Sequence, residues 1–595
     1  MSVKPEDIAC VDIYPPINVA RVGDSSEHFI GSEVPGVEPT PDGGFKDKDH
    51  KIKKQAARFR VYAFDKDSKP LGEITNDGYS LSWKVHVANK KAAWITHRSR
   101  FKFVKEVGRD DLRNPDVQGL PEGQKKPYEY TNTRTELIID PGEKVVEGAN
   151  VKDVFLDGQF GNDKEIPLHK DVRLGELRTD EKGRLLVLAS DGKSFPASGN
   201  PDEMLQNGFD NAGWVDKVCD GTVRVTVKSK SQPELDIPVR NRATVMTAPP
   251  RFSSGTHAPT TLYELMEEIY ERRRRREAGS EYKVGEVIYY RDIYPLFKRI
   301  YLLSWTNNRP KMNQRHGPRN MKLYFDNPEL ADPSPSSKDA RADVFDKLRA
   351  PVIDGDKKNE KTRDDQAEGG HMPPLAGDAG DPVPGERDSW ASLTQLQWHR
   401  FKKWSEGDFE PGNKEDQKSY ESFDKIPLDE QPSALTKAAL EWTIGAALYP
   451  GIECFWIAEG EDMYKPAKQD EPWNRFRFAD TVTPGDLSKG LCLPWQSDFN
   501  MCNTHWWPSV RPDDAVTEVY FNQVKRDTQP DQLATKLTQR VKWHRGIEGE
   551  NRNERNTNMV RNWNKLGFIA RQLYETAPDQ LEIHIERQRH PDMPA

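Results

Sequence analysis

The sequence predicts an α+β fold, with an antiparallel β-rich part at residues 1–250 and a mainly helical part at residues 251–595. Between Val11 and about Pro250, apolar and β-branched residues alternate between Gly, Pro and Asp turns, which is typical of antiparallel sheet. After Pro250 the apolar residues recur at helical spacing. Because 595 residues exceed what one hydrophobic core usually organises, we expect two or more packed units.

Four segments of the N-terminal part predict strands. Each combines period-two alternation or β-branched residues with flanking turn residues, as half-buried strands do. They are Phe59–Phe64, Trp83–Val87, Arg184–Leu188 and Thr222–Val227.

The first predicted helix lies at Thr261–Tyr270, where Leu262, Leu265, Met266 and Ile269 share one helical face. The basic run that follows, at Arg272–Arg276, comes after four glutamates. Cations at a helix C-terminus are favourable, so we interpret this run as a solvated helix end rather than a nucleic-acid surface.

Further along the chain, helical pattern returns at Leu393–Trp404 and at Ala434–Leu448. Residues 327–385 are rich in Asp, Pro, Gly and Lys and have little periodic apolar pattern, which predicts a loop-rich excursion. No internal repeat or low-complexity tract is found.

The composition indicates a globular protein with small, soluble partners. Hydrophobic residues make up only 35% of the chain, but 15 Trp, 18 Tyr and 23 Phe supply large surfaces to bury. The net charge of -8 comes from interspersed acids and bases, which argues against a nucleic-acid surface or a polybasic membrane anchor.

The lack of an apolar targeting segment and the small number of cysteines predict a soluble chain without a disulfide framework. Residues 1–22 have no apolar signal-peptide core, and no run of 18 or more apolar residues follows. We expect a cytoplasmic protein, or one exported without a recognisable signal peptide. Five cysteines, none in a Cys-x-x-Cys pair, are too few and scattered for a disulfide framework. A special cysteine would therefore be special for its chemistry.

The densest concentration of chemically active residues is Leu493–Pro512, where Asp498 and Cys502 are four residues apart. On a helical turn this spacing puts a carboxylate and a thiol on one face. The alternative is a buried free cysteine beside a capping acid, with Trp506 and Trp507 in the core.

Two other site classes fit this stretch poorly. Cys492, Cys502 and His505 could all bind zinc, but their separations are not those of a structural zinc site and a fourth ligand is missing, so we predict no metal. The chain has no Gly-x-Ser-x-Gly elbow and no Gly-rich phosphate loop. A hydrolase, a nucleotide site and a flavin site are therefore not implied.

Several separated motifs, in one order along the chain, resemble the lysine 6-oxidase/glycine oxidase family of quinoprotein amino acid oxidases. Their combination is more specific than any single motif. They are Ile13–Gly23, Phe29–Glu33, Lys54–Tyr62, Asn211–Asp216 with Asp220 and Gly221, Pro374–Asp378, Tyr449–Glu453, and the block from Asp498 to Pro512.

The resemblance implies a cysteine tryptophylquinone, in which a tryptophan ring is oxidised to an ortho-quinone and bonded to a cysteine sulfur. Cys502 matches the family's cysteine, and Trp563 matches the family's tryptophan some sixty residues downstream. Trp543 is the competing candidate. The cofactor is expected in the helical part, and the alternative for Trp563 is an ordinary core tryptophan.

Asp498 matches the family's acid and is the expected catalytic base. A primary amine would condense with the quinone carbonyl to a Schiff base, and the carboxylate would remove a proton from the amine-bearing carbon as electrons flow into the ring. Hydrolysis and reoxidation by O2 then release an aldehyde or oxo acid, ammonia and hydrogen peroxide. We also expect Asp498 to assist cofactor formation.

Three residues are candidates for substrate binding. Val215 replaces an aromatic residue that characterised family members tend to carry, which would enlarge the pocket and favours a long substrate over glycine. Cys454 matches a position where the lysine-specific branch has a cysteine. His505 is a third candidate, with a core or surface histidine as its alternative.

The favoured activity is therefore oxidation of the ε-amine of L-lysine. Glycine or another amino acid remains an alternative substrate, and a catalytically silent β-rich binding protein is the alternative from another class. The resemblance also implies a homo-oligomer and a separate flavoprotein that matures the cofactor.

Overall fold

The computed structural model describes most of the chain. The ranges are 3–102, 107–117, 134–164, 166–307, 327–351, 371–378, 383, 385, 389–414, 419–448, 451–467, 471–501, 510–572 and 582–594.

Strands dominate the N-terminal part. Those before residue 250 are β1 (Cys10–Tyr14), β2 (Ile17–Arg21), β3 (His28–Ile30), β4 (Lys54–Phe64), β5 (Pro70–Ile74), β6 (Tyr79–Ala88), β7 (Lys144–Glu147), β8 (Val154–Phe160), β9 (His169–Thr179), β10 (Leu185–Ala189), β11 (Phe195–Pro196), β12 (Trp214–Val215), β13 (Asp220–Ser229) and β14 (Ala243–Ala248).

Twelve of these strands form one sheet. Its main path runs β7-β6-β13-β14-β2-β4-β10-β9-β8, and β1, β3 and β5 also pair with β4. The pairs are antiparallel except β14 with β2 and β3 with β4. The four strands predicted from alternation lie in β4, β6, β10 and β13, although β10 begins at Leu185 rather than Arg184.

Helices dominate the C-terminal part. They are α1 (Leu262–Ala278), α2 (Tyr294–Leu303), α3 (Lys338–Phe345), α4 (Gln395–Glu406), α5 (Gln431–Glu441), α6 (Trp495–Met501), α7 (Glu518–Arg526), α8 (Leu533–Lys536) and α9 (Arg552–Asn562). Short strands join them in pairs: β15 (Thr260–Thr261) with β16 (Ile444–Ala446), β17 (Asp514–Ala515) with β18 (Val541–Lys542), and β19 (Phe568–Gln572) with β20 (Ile583–Arg587). The predicted α+β class is confirmed.

Helix α1 forms as its sequence predicts. The Thr261 side chain accepts a hydrogen bond from the Glu264 backbone N–H, and the Glu264 carboxylate accepts one from the Thr261 N–H, a reciprocal cap that fixes the start. The predicted apolar face is buried. The arginines at its end pair with glutamates, for example Arg273 with Glu461 at 2.7 Å, which agrees with a structural rather than a nucleic-acid role.

Helix α5 ends earlier than its sequence pattern predicts. The pattern continues to Leu448, but the helix ends at Glu441 and Ile444–Ala446 form β16. A side chain at Gly445 would lie 2.0 Å from the carbonyl oxygen of Thr261, so the glycine permits close pairing of β16 with β15. Tertiary pairing therefore overrides the helical periodicity.

The described residues of the stretch 327–385, predicted to be a loop-rich excursion, include a helix and buried apolar side chains. Helix α3 lies within it, and the ring of Phe345 packs against that of Trp398 on α4 at 4.5 Å. Leu348 and Met372 are buried in the core formed by α2, α4 and α7. The remainder, including residues 352–370, lies outside the described residues.

The largest core unites the sheet with the helices that carry the predicted site. Its buried apolar residues run from Val11 on β1 to Ile569 on β19, and they include Trp495, Trp543 and Trp563. None of the helices in the described ranges is long and apolar enough to cross a membrane.

Candidate active site

The predicted catalytic acid lies on the short helix α6. All residues of α6 from Trp495 to Asn500 are buried, and Asp498 has 2% of its surface exposed. Asp498 therefore lies on a helical turn, as the sequence predicts. Cys502 follows the last residue of the helix and lies outside the described residues.

The N-terminus of α6 is held by a buried carboxylate. Oδ2 of Asp216 accepts a hydrogen bond of 2.9 Å from the backbone N–H of Trp495. The first N–H groups of a helix lack internal partners and carry partial positive charge, so an anion there is stabilising. Asp216 thereby fixes the first turn of the helix that bears Asp498.

Asp216 is itself part of a buried ion pair with Lys91. Both side chains are fully buried, and the Lys91 ammonium donates to Oδ2 of Asp216. Asn89 donates to Oδ1 at 2.9 Å. Burial lowers the pKa of Lys91, while the Asp216 carboxylate opposes that shift. Since removing one member of such a pair leaves an uncompensated buried charge, each depends on the other.

The loop before Asp216 also reaches the segment that leads into α6. The backbone N–H and the side-chain amide of Asn211 both donate to the carbonyl of Leu493, at 3.2 and 3.0 Å. The N–H of Leu493 donates in return to the carbonyl of Phe209 at 2.9 Å. Two motifs nearly three hundred residues apart in sequence therefore form one structural unit.

Trp563 lies against this unit. It begins a short 3-10 turn, Trp563–Lys565, directly after α9, and only 2% of its surface is exposed. Its ring meets that of Trp495 edge to face, with centroids 5.0 Å apart and planes at 70°. A hydrogen bond from the amide of Asn500 to the side-chain oxygen of Asn556 joins α6 to α9.

Asp498 and Trp563 are both neighbours of Trp495. Asp498 is three residues after Trp495, so both project from the same face of α6, and Trp495 contacts Trp563. The carboxylate also lies close to Cys492, whose thiol pKa is raised well above its usual value by burial and then by the charge of Asp498.

Gly192 leaves space at one edge of the Trp563 ring. Its φ is +71°, and a Cβ built there would lie 3.1 Å from Cζ2 of Trp563 and 2.7 Å from Cγ2 of Val22. The Gly192 carbonyl accepts a hydrogen bond of 3.0 Å from the indole N–H of Trp495, which holds the Gly192 backbone beside the Trp563 ring. An oxidised indole needs room for added oxygen atoms, and this side-chain-free edge fits that requirement.

The competing tryptophan, Trp543, occupies a different position beside the same helix. It is fully buried, and its indole N–H donates to the carbonyl of Gly567 at 2.8 Å. Its ring packs against Phe499 at 6.2 Å and Phe252 at 4.9 Å. Trp543 thus contacts Phe499, and Trp563 contacts Trp495.

The two described candidates for substrate binding are buried. Val215 pairs with Phe195 in the β11-β12 ribbon and immediately precedes Asp216, which places it one residue from the anchor of α6. Cys454 is fully buried, and burial raises the pKa of its thiol. It follows Glu453, which forms a buried ion pair with Arg21 at 2.9 Å.

The zinc alternative involves residues that are only partly described. Cys492 is a buried free cysteine, whereas Cys502 and His505 lie outside the described residues. Within the described ranges, no group of three or more His, Cys, Asp or Glu residues is placed to hold a metal ion.

Sequence reasoning missed three residues that shape this site: Lys91, Gly192 and Trp495. Lys91 gave no sequence signal, because its role depends on a partner 125 residues away. Gly192 follows Ser190 and Asp191, and these residue types predict a turn. They do not predict that the turn lies against Trp563. Trp495 lies in the dense block, where only contact with Trp563 distinguishes it from other core aromatics.

Comparison with known proteins matches both parts of the chain to one family. The family model described as L-Lysine epsilon oxidase N-terminal matches residues 14–239, and that described as L-lysine epsilon oxidase C-terminal domain matches residues 377–521. The L-lysine 6-oxidase of Marinomonas mediterranea is 25% identical over 556 residues, covering 83% of this chain and 71% of that protein.

Solved structures share the fold. The crystal structure of the L-Lys epsilon-oxidase from Marinomonas mediterranea superposes with a TM-score of 0.68 at 21% identity, covering 97% of this chain and 94% of that one. The crystal structure of its Schiff base intermediate with L-Lys gives 0.69, also at 21% identity, covering 97% of this chain and 95% of that one.

The β-rich and helical parts are those of an α+β oxidoreductase that acts on amine donors. Since both family models match in order and together span more than half of the sequence, the chain belongs to the L-lysine epsilon oxidase family.

Proposed function

We propose that this protein is a quinoprotein amino acid oxidase that oxidises the ε-amine of L-lysine with O2. The observation that carries the proposal is the placement of Asp498 one helical turn from Trp495, whose ring contacts Trp563. The matches to the family and to an L-lysine 6-oxidase support the class of substrate.

The proposed cofactor is a cysteine tryptophylquinone formed from Cys502 and Trp563. It would supply an electrophilic carbonyl for the amine and accept two electrons from the substrate. The open edge beside Gly192 supports Trp563 over Trp543 as the oxidised ring.

The role we assign to Asp498 is removal of a proton from the amine-bearing carbon. A carboxylate suits this role because it can accept the proton while the carbon loses its electron pair. Burial of Asp498 excludes bulk water from the proton transfer. The Asp216 carboxylate accepts a hydrogen bond from the first turn of α6, so it sets the position of the base.

The overall reaction balances with water and oxygen. The amine, water and O2 are converted to the aldehyde, ammonia and hydrogen peroxide, so two electrons and two protons leave the substrate and reduce O2. Glycine or another amino acid would give the corresponding oxo acid.

The test is peptide mapping of the protein purified from its native host. We expect one peptide pair linking Cys502 to Trp563, with a net gain of two oxygens and loss of four hydrogens. Trp563→Phe should abolish the link and the quinone absorption, while Trp543→Phe, a matched change of a buried tryptophan, should keep both. Unlinked peptides in an enzyme that produces peroxide from lysine would overturn the cofactor assignment.

A further inference from the structure

A hairpin near the N-terminus packs against the segment that contains Trp563. Lys46 and Ile52 pair across this hairpin in an antiparallel bridge. The residue before Lys46, Phe45, stacks its ring on that of Phe568 in β19, with centroids 4.6 Å apart. The hairpin is therefore fixed against the C-terminal part directly beside Lys46.

The side chain of Lys46 reaches the peptide group that follows Trp563. Its Nζ donates a hydrogen bond of 2.9 Å to the backbone carbonyl of Asn564, the middle residue of the 3-10 turn that Trp563 begins. Only 3% of the Lys46 surface is exposed. Burial lowers the pKa of Lys46 to about 7, and the charge of Asp24 opposes that shift. The ammonium and the neutral amine can both donate this hydrogen bond.

Asp24 binds the side chain of the same residue. Its Oδ2 accepts a hydrogen bond of 2.7 Å from the side-chain amide of Asn564. Its Oδ1 accepts one of 2.7 Å from the backbone N–H of Ile52, the bridge partner of Lys46. Asn564 is therefore bound through its backbone by Lys46 and through its side chain by Asp24.

This network gives Trp563 an anchor that is separate from the anchor of Asp498. Asp216 binds the first turn of α6, which carries the acid. Lys46 and Asp24 bind the residue directly after the tryptophan. Because the two anchors share no residue, the position of the ring relative to the acid depends on both.

Packing alone does not explain an amine at position 46. Removing an amine from water costs free energy, whereas a methionine of similar length would fill the same space without that cost. What the Lys46 nitrogen adds is its hydrogen bond to the carbonyl of Asn564.

We propose that Lys46 is a positioning residue for the Trp563 ring and acts through the carbonyl of Asn564. The inference rests on the proposed function, in which Trp563 carries the carbonyl that reacts with the amine. A displacement of about 1 Å between reacting groups can slow a reaction about a hundredfold. The rate of the chemical step, more than the binding of substrate, therefore depends on Lys46.

The kinetic test compares Lys46→Met with Lys46→Arg, which keeps an N–H donor, and with the matched control Lys53→Met. Lys53 lies in the same hairpin, but its ammonium binds the carbonyl of Asp42 at 2.8 Å and the carboxylate of Glu27 at 3.1 Å. We expect Lys46→Met to lower kcat for lysine about tenfold or more, while KM changes less than about threefold. Lys46→Arg should restore most of kcat, and Lys53→Met should keep the wild-type value.

Hydrogen exchange of the full-length chain, measured by mass spectrometry, reports on the turn whether or not the quinone forms. We expect residues 563–567 to exchange about tenfold faster in Lys46→Met than in the wild type, with the other segments unchanged. Lys46→Arg should restore slow exchange. Faster exchange of these residues in a chain that never forms the quinone would overturn the cofactor assignment but support the positioning of Trp563 by Lys46.

Lys46→Gln is the second variant if Lys46→Met does not fold. It keeps an N–H donor on a shorter side chain, so it should hold the turn less tightly and accelerate exchange of residues 563–567 relative to the wild type. Three results would each overturn the proposal: exchange and kcat in Lys46→Met equal to those of Lys53→Met, no recovery with Lys46→Arg, or unchanged exchange in Lys46→Gln.

Discussion

Asp498 is the residue on which the proposed chemistry depends most directly. We expect Asp498→Asn to lower kcat by roughly a hundredfold to ten-thousandfold, because the amide keeps the shape of the carboxylate but cannot accept a proton. Peroxide production from lysine measures the loss, and peptide mapping measures cofactor formation in the same sample. A mature Asp498→Asn enzyme with a near-normal rate would rule out the role as base.

A substitution at Val215 tests whether one side chain sets the choice of substrate. Val215→Phe should lower the ratio of kcat/KM for lysine to that for glycine, since a ring added beside Asp216 reduces the room for a long substrate. A shift of roughly 1–3 kcal/mol in discrimination is expected.

The matched control for this prediction is Val223→Phe, which overpacks a fully buried valine of β13. Overpacking alone costs about 1–3 kcal/mol of stability and should leave the ratio unchanged. If Val215→Phe forms the quinone but alters the ratio no more than the control does, Val215 has only a packing role.

Gly192 offers a test of the space beside Trp563. Gly192→Ala should reduce the yield of mature cofactor, because its Cβ would crowd both the ring edge and Val22. Gly199→Ala is the control: Gly199 has a similar φ of +74°, but nothing lies within 4 Å of an added Cβ. Both variants carry backbone strain, so equal losses of quinone absorption would contradict the crowding argument.

Helix α6 depends on contacts with distant segments of the chain. The helix spans only Trp495–Met501, too short to be stable on its own propensity. Its first turn is bound by Asp216, and its other end is joined to α9 through Asn500 and Asn556. The position of the catalytic acid is therefore set by loops and helices distant in sequence.

The Asp216–Lys91 pair can be tested by a double-mutant cycle. Asp216→Asn should destabilise the protein by roughly 3 kcal/mol, since it leaves a buried ammonium without its counter-ion. Adding Lys91→Met removes that charge and should recover part of the loss. Urea unfolding gives the free energies, and additive single and double effects would show that the pair is not coupled.

The sheet and the C-terminal helices share one core, so polar contacts between them are buried. Asp220 begins β13 and accepts hydrogen bonds from the backbone N–H and the hydroxyl of Ser488, at 2.8 and 2.6 Å. Burial raises the pKa of Asp220 from 3.8 to about 6.

This shift predicts a pH dependence of stability. Between about pH 4 and 6 the folded protein retains a proton on Asp220 that the unfolded chain releases, so the stability from this group is lost as pH rises through that window. The change is on the order of 3 kcal/mol. It is measured as the difference in unfolding free energy between the wild type and Asp220→Asn, and a difference that stays constant with pH would contradict it.

The fold class, the capped start of α1 and the family follow from the amino-acid sequence alone. Local patterns predict the fold class and the helix start because alternation, helical spacing and a Thr–Glu cap each involve only a few neighbouring residues. The family is recognised from the order of separated motifs along the chain. The same patterns placed Asp498 on a helical turn, and they named Trp563 through resemblance.

The assembly of the site depends on tertiary contacts. The anchoring of α6 by Asp216 and Lys91, the contact of Trp495 with Trp563 and the open edge at Gly192 join residues far apart in sequence. The end of α5 at Glu441 was likewise set by pairing of β16 with β15. Such contacts depend on burial and approach between distant segments, which local periodicity does not encode.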